Sequence, residues 1–377
     1  MKFLVKRDFL GRMFRFASFV SAEKKTGSQV VGGYVLLIAK QQKLALVATD
    51  LDEELIIEEV LDTIEQEGSV VIPFRKISEI CRAMTDNVDL LVRSELDYKL
   101  HIESKYGFFS IRYLDPKEFP LLNQKMFYAS FEVKTAFLRE LISKTSFSIG
   151  EDDNRQFLNG VFLCFSSKEM VAVATDGHRL TVFDAGLNED MNQAITNLNA
   201  EIKVLLPRKS AMDLLKILGE SADDFLKIHV GENHVRVECS LVTFTSKLLS
   251  GAFPVYQRLI PNGSNVLIAH KETLKSCLLR AAALLGDKSQ GVQFVLSPNN
   301  LQLTAKNDFN DVVQENVLVN YDGCPLEICF NIKYLLDFLS NIDGETVCFK
   351  MENAVSGVLL QDQFFKSSYI LMPMQLC

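Results

Sequence analysis

Apolar residues recur along this chain in two rhythms. Strict alternation, as in HVRVECSLVTFTSKL from His234, predicts half-buried β-strands. Spacings of three and four predict amphipathic helices near 6–17, 75–84, 134–146, 208–218, 271–285 and 333–339. Strand-like runs outnumber helical ones, which favours antiparallel sheets with one face buried against the helices.

These elements recur in order. A strand running into a helix reads FLVKRDFLGRMFRFA from Phe3, FEVKTAFLRELISKTS from Phe131 and LIAHKETLKSCLLRAAALL from Leu267. Alternating pairs then end in LALVATD at Asp50, MVAVATD at Asp176 and LQLTAKN at Asn307. A second strand–helix phrase follows: VVIPFRKISEICRAM, VLLPRKSAMDLLKIL and ICFNIKYLLDFL. The first two units close on Phe119-Pro120 and Phe253-Pro254. Three α+β domains are expected, at 1–125, 126–250 and 251–377.

The 377 residues are 48% hydrophobic and 23% charged, which excludes disorder and supports several cores. The longest run lacking charge or strong polarity, Val30–Ala39, is about half a bilayer span. Charges at Lys6, Arg7 and Asp8 interrupt the place of a signal's apolar segment, so a cytoplasmic protein is expected. Eight cysteines without a CxxC pair read as reduced, mainly buried thiols.

Net charge is −8, yet the six helix candidates together carry +11. If the helices share one surface, it is a basic stripe on an acidic body, suited to a duplex phosphate backbone without base reading. Phe14 and Phe16 are expected in the core rather than as stacking platforms.

Catalytic signatures are missing: no GxxxxGK[ST], GxGxxG, HExxH or GxSxG occurs. His229 and His234, five apart in an alternating stretch, are expected on opposite strand faces and make a poor metal pair. Asp50, Asp52, Glu53 and Glu54 read as a solvated turn. Thr175-Asp176-Gly177-His178-Arg179 is the most enzyme-like phrase, but Asp-Gly marks a turn and no partnered nucleophile accompanies it. The tail Tyr369-Ile370-Leu371-Met372-Pro373-Met374 reads as a closing strand, with Pro373 favouring a sheet edge.

The threefold repeat, VATDGHRL from Val173, FTSKLLSGAFPVYQRLIP from Phe244 and the terminal YILMPMQL closely resemble the β sliding clamp of bacterial DNA polymerase III. The resemblance covers the whole chain. It implies a DNA clamp fold, with sheets outside and two helices per domain lining a central hole. A head-to-tail homodimer would encircle double-stranded DNA and tether polymerase for processive synthesis, without catalysis, cofactor or metal. Clamp loader, polymerase subunits and repair proteins would dock by short linear motifs. Their pocket would be lined by Leu158, Thr175, Gly177, His178, Arg179, Leu180, Pro254, Arg258, Leu259, Val355, Ile370, Leu371, Met372, Pro373, Met374 and Leu376. Arg179 and Arg258 would orient the peptide.

By the same resemblance DNA would face Lys24, Lys25, Arg75, Lys76, Arg82, Lys134, Arg139, Arg155, Arg208, Lys209, Lys216 and Lys275. Dimer closure would set Phe109 and Ile111 against Leu284 and Leu285. Departures from the family pattern fall at 24–31, at the acidic 152–157 loop, at Gly357, at Gln375 and at the extra Cys377. Two rivals remain: a hydrolase using Asp176 and His178 with a metal, and a monomeric peptide-binding scaffold.

Overall fold

A computed structural model describes residues 1–20, 33–122, 126–166, 169–185, 195–196, 198, 200–286, 290–364 and 366–375. All six expected helices form: α1 (Arg7–Val20), α2 (Phe74–Ala83), α3 (Thr135–Ser143), α4 (Arg208–Glu220), α5 (Lys271–Leu285) and α6 (Ile332–Asn341). Each follows a strand directly, as the repeated phrases predict.

Two compact units emerge. The first comprises Met1–Thr135, Ile195–Leu198 and Met212–Leu248; the second comprises Ala136–Ala194, Asn199–Ala211 and Leu249–Cys377. The middle repeat therefore contributes to both, because sheets run through the repeat boundaries. In the first unit, a nine-stranded sheet includes strand 242–247 of the middle repeat paired antiparallel with 53–60 of the first. A five-stranded sheet ends on 107–112. In the second unit, another nine-stranded sheet pairs 179–184 with 367–371, and a four-stranded sheet has 312–318 at one edge.

The terminal strand is a buried core strand, as its apolar run suggests, but it does not take the sheet edge that Pro373 favoured. Ser367–Leu371 lies mid-sheet, between 179–184 and 358–362. Pro373 falls beyond its end, so the missing N–H costs no ladder bond.

Cores lie between sheet and helices. On α1, Leu10, Met13, Phe14, Phe16, Ala17 and Val20 are buried, and the Phe14 ring meets Phe74 edge-on at 6.1 Å. Both expected core aromatics are therefore inside, each worth about 1.5–3 kcal/mol by burial. In the second unit α5 and α6 place Leu274, Leu278, Leu335 and Phe338 against Phe349 and Tyr369. Phe338 stacks on Tyr369 at 4.8 Å and 6°.

Candidate functional site

The VATDGHRL phrase becomes a strand, a tight turn and a strand. Asp176 Oδ1 accepts the amides of His178 at 2.9 Å and Arg179 at 3.0 Å. The Thr175 hydroxyl donates to the Arg179 carbonyl at 2.6 Å. Gly177 sits at φ 92°, a backbone region that L side chains rarely adopt. Asp176 is consumed in shaping the turn, and its Oδ2 takes the Arg179 Nε at 2.9 Å. Both oxygens of Asp176 thus accept from groups of its own turn, two amides and a guanidinium.

Register then brings distant residues together. Arg179 pairs with Leu371 and Leu180 with Ile370, while Met372 N donates to His178 O at 2.9 Å. Leu180 and Ile370 join Cys164, Val171, Val173, Val182 and Leu359 in an apolar cluster, against which Phe253, Tyr256 and Ile260 pack. The Phe253 ring stacks on Phe162 at 4.9 Å, so the turn bearing Pro254, Arg258 and Leu259 lies on the same sheet face. Around the buried cluster stand exposed Leu259, Val355 and Met372. A Cβ on Gly357 would lie 3.3 Å from Met372 Sδ. This is an apolar site with polar edges, the chemistry that anchors a short peptide.

Several expected pocket residues are used otherwise. Arg179 is only 8% exposed. Its guanidinium pairs with Asp337 at 2.7 Å, donates to Phe147 O at 2.6 Å and lies 4.2 Å from the Tyr334 ring centre. It holds protein elements together and does not reach toward a peptide; Arg258 stays exposed. Leu371 is fully buried in the helix-side core, as alternation along its strand requires, and Leu158 is also buried. Pro373 and Met374 are partly exposed, with Met374 bridged to Cys329. Leu376 lies outside the described residues.

Charge is more divided than a count along the helices suggests. Acids from strands, a loop and the helices themselves reach the basic side chains: Arg12 pairs with Glu59 and Arg280 with Glu315 from strands, Arg7 with Asp86 from a loop and with Asp8 on its own helix, and Arg15 with Glu220 at the end of α4. Arg75 pairs with Glu79, Arg208 with Glu151, and Lys216 with Asp213. Arg155 grips Asp153 through two 3.0 Å bonds and holds that carboxyl down to about 2. Among the described residues, Lys76, Arg82, Lys134, Arg139 and Lys275 have no ion-pair partner. Lys209 is partly exposed. Lys24 and Lys25 lie outside the described residues.

Phe108 and Phe109 are 55% and 36% exposed on strand 107–112, which is an edge strand of its sheet among the described residues. Beside it lies a cavity of about 650 Å³ lined by Ile80, Ala83, Met84, Tyr106, Phe109 and Ile111. Of the expected counterparts, Leu284 is partly exposed, but Leu285 is 5% exposed and belongs to its own core.

His229 and His234 share a face, contrary to the alternation argument. A hairpin turn at 232–233 intervenes and resets the parity, so both rings lie 5.3 Å from Phe127. Among the described residues the one group of three metal-type donors is Cys164, Glu169 and Glu201, where Lys203 already pairs with Glu201 at 2.5 Å. No described helix is long and apolar enough to cross a membrane.

Three α+β repeats joined strand to strand, with an apolar site at a junction, define the class of protein as a clamp. The family descriptions of the DNA polymerase III beta subunit match in order: the N-terminal domain at residues 1–123, the central domain at 132–255 and the C-terminal domain at 257–375. This chain belongs to the DNA polymerase III beta subunit family, the β sliding clamps. It is 33% identical to the beta sliding clamp of Pseudomonas aeruginosa and 32% identical to that of Escherichia coli K12, covering all of each chain. Crystal structures of the Pseudomonas aeruginosa DNA polymerase sliding clamp, one with ligand and one bound to griselimycin, match with TM-score 0.92 over the full length of both chains, at 32% and 31% identity.

Proposed function

We propose that two copies of this chain close head to tail into a ring around duplex DNA and tether the replicative polymerase, making and breaking no bond. The match to all three clamp domains over the full chain carries this reading. The 107–112 edge, free of a strand partner among the described residues, and its apolar cavity support closure by strand and side-chain contact with a second copy, Leu284 being the counterpart with exposed surface. The three domains are 1–125, 126–250 and 251–377. Lys76, Arg82, Lys134, Arg139 and Lys275 supply loose phosphate attraction that permits sliding. The clamp loader, polymerase subunits and repair proteins compete for the site around Leu180, Ile370 and Met372. The chain acts in the cytoplasm and needs no cofactor.

The test is retention on nicked circular DNA after loading by a cognate clamp loader with ATP. A ring survives a high-salt wash and leaves once the circle is linearised. Loss in salt alone would overturn encirclement and favour a monomeric peptide-binding scaffold.

A further inference from the structure

The hydrogen bonds that build the Thr175–Arg179 turn recur at Thr49–Glu53. In both, the threonine hydroxyl donates to the carbonyl four residues on at 2.6 Å and accepts the amide two residues on at 3.1 Å. In both, the aspartate Oδ1 takes the next two amides, Asp52 and Glu53 at one turn, His178 and Arg179 at the other. The match continues across the sheet: Lys247 N donates to Asp52 O and Met372 N to His178 O, each at 2.9 Å. Leu51 even takes φ 76°, where Gly177 sits at 92° without a Cβ. The junction of the first two repeats is a structural copy of the junction that carries the peptide site.

Its chemistry differs at the floor. Leu180 and Ile370 are cross-strand partners at the second junction; Glu54 and Thr245 are the corresponding partners at the first. Glu54 is 4% exposed, and burial raises its pKa. A carboxylate so placed requires donors. Its Oε2 accepts the main-chain N–H of Leu122 at 2.9 Å. Leu122 follows Phe119-Pro120 as Tyr256 follows Phe253-Pro254; Phe253 packs on the apolar cluster of the second junction, and Phe119 on a cluster of first-repeat residues with Leu36, Val47 and Val71. At the second junction the residue in Glu54's place is apolar and engages no main-chain amide through its side chain.

The geometry points to a second peptide-binding site at the first junction that the chain keeps shut with its own main chain, Glu54 holding Leu122 where an incoming peptide backbone would lie. The ligand class of the opened site is that of the second junction, a short segment with apolar side chains. This inference rests on the reading of the second junction as the partner site. It limits each chain to one partner.

Calorimetric titration with griselimycin reads the number of sites. The wild type and Glu54→Gln, whose amide oxygen still accepts from Leu122, take one molecule per chain. Glu54→Leu with Thr245→Ile, which restores the second junction's residues, takes two. A folded double variant that still takes one overturns the inference and leaves the partner site standing; no binding to the wild type overturns the partner site itself. Hydrogen exchange gives an independent reading should the double variant misfold. The Leu122 amide is slowed in the wild type and in Glu54→Gln, and an unprotected amide in the wild type sinks the proposal.

Discussion

Arg179 donates through one guanidinium nitrogen to Asp337 Oδ2 at 2.7 Å, joining residues 158 apart in sequence. The same side chain pairs with Asp176 and caps the Phe147 carbonyl. Arg179→Ala would leave these acceptors part-buried and unpaired, at a cost on the order of 3 kcal/mol. Arg179→Lys keeps the charge but loses the fork and should fall between. Chemical denaturation measures both. Unchanged stability with lost partner affinity would return Arg179 to a peptide-gripping role.

On the proposed reading the tail brings Met372 to the partner site, while the strand before it divides, Ile370 facing the site cluster and Tyr369 and Leu371 the helix-side core. Deleting Met372–Cys377 should abolish binding of a polymerase tail peptide and leave the dimer mass unaltered. Fluorescence anisotropy and light scattering read the two effects; retained affinity would remove the tail from the site.

Phe109 and Leu284 expose apolar surface, whereas Leu285 lies inside its repeat. Phe109→Asp and Leu284→Asp should each halve the mass seen by light scattering and keep the native circular dichroism. Leu285→Asp should instead unfold the third repeat, by on the order of 3 kcal/mol or more. A folded monomer from Leu285→Asp would refute its inward placement.

Cations without an ion-pair partner on or beside the helices should matter more to DNA than paired ones. Replacing both Lys134 and Arg139 with Ala should lower the salt dependence of DNA binding, by about 0.9 in log–log slope for each phosphate that is no longer neutralised. Arg12→Ala should change it less, because Glu59 already neutralises that guanidinium. Equal effects would mean that DNA displaces the internal acids.

Burial raises the Asp362 carboxyl above its ordinary range, and the nearby Asp343 charge adds to the effect. The folded chain therefore binds this proton more tightly than the unfolded chain. Its ionisation penalty is full above the folded pKa and disappears below the unfolded one. Asp362→Asn should raise Tm at pH 7, with the gain shrinking as pH falls toward the ordinary carboxylate range. A gain independent of pH would assign the effect to something other than ionisation.

Local order is what the sequence by itself determined. Three repeats, six helices, alternating strands and the inward Phe14 and Phe16 follow from periodicity, because neighbours along the chain decide which face of a helix or strand is apolar. Tertiary structure alone decided what depends on approach between distant segments. Acids such as Glu59 and Glu315 come from strands to neutralise helix arginines, so a tally along each helix overstates the basic surface. A two-residue turn reversed the parity that separated His229 from His234. The tail strand found partners on both sides, and Arg179 was drawn inward by Asp337. Burial, pairing and charge compensation are properties of the assembled sheets, since each requires a second segment whose arrival no short window of sequence encodes.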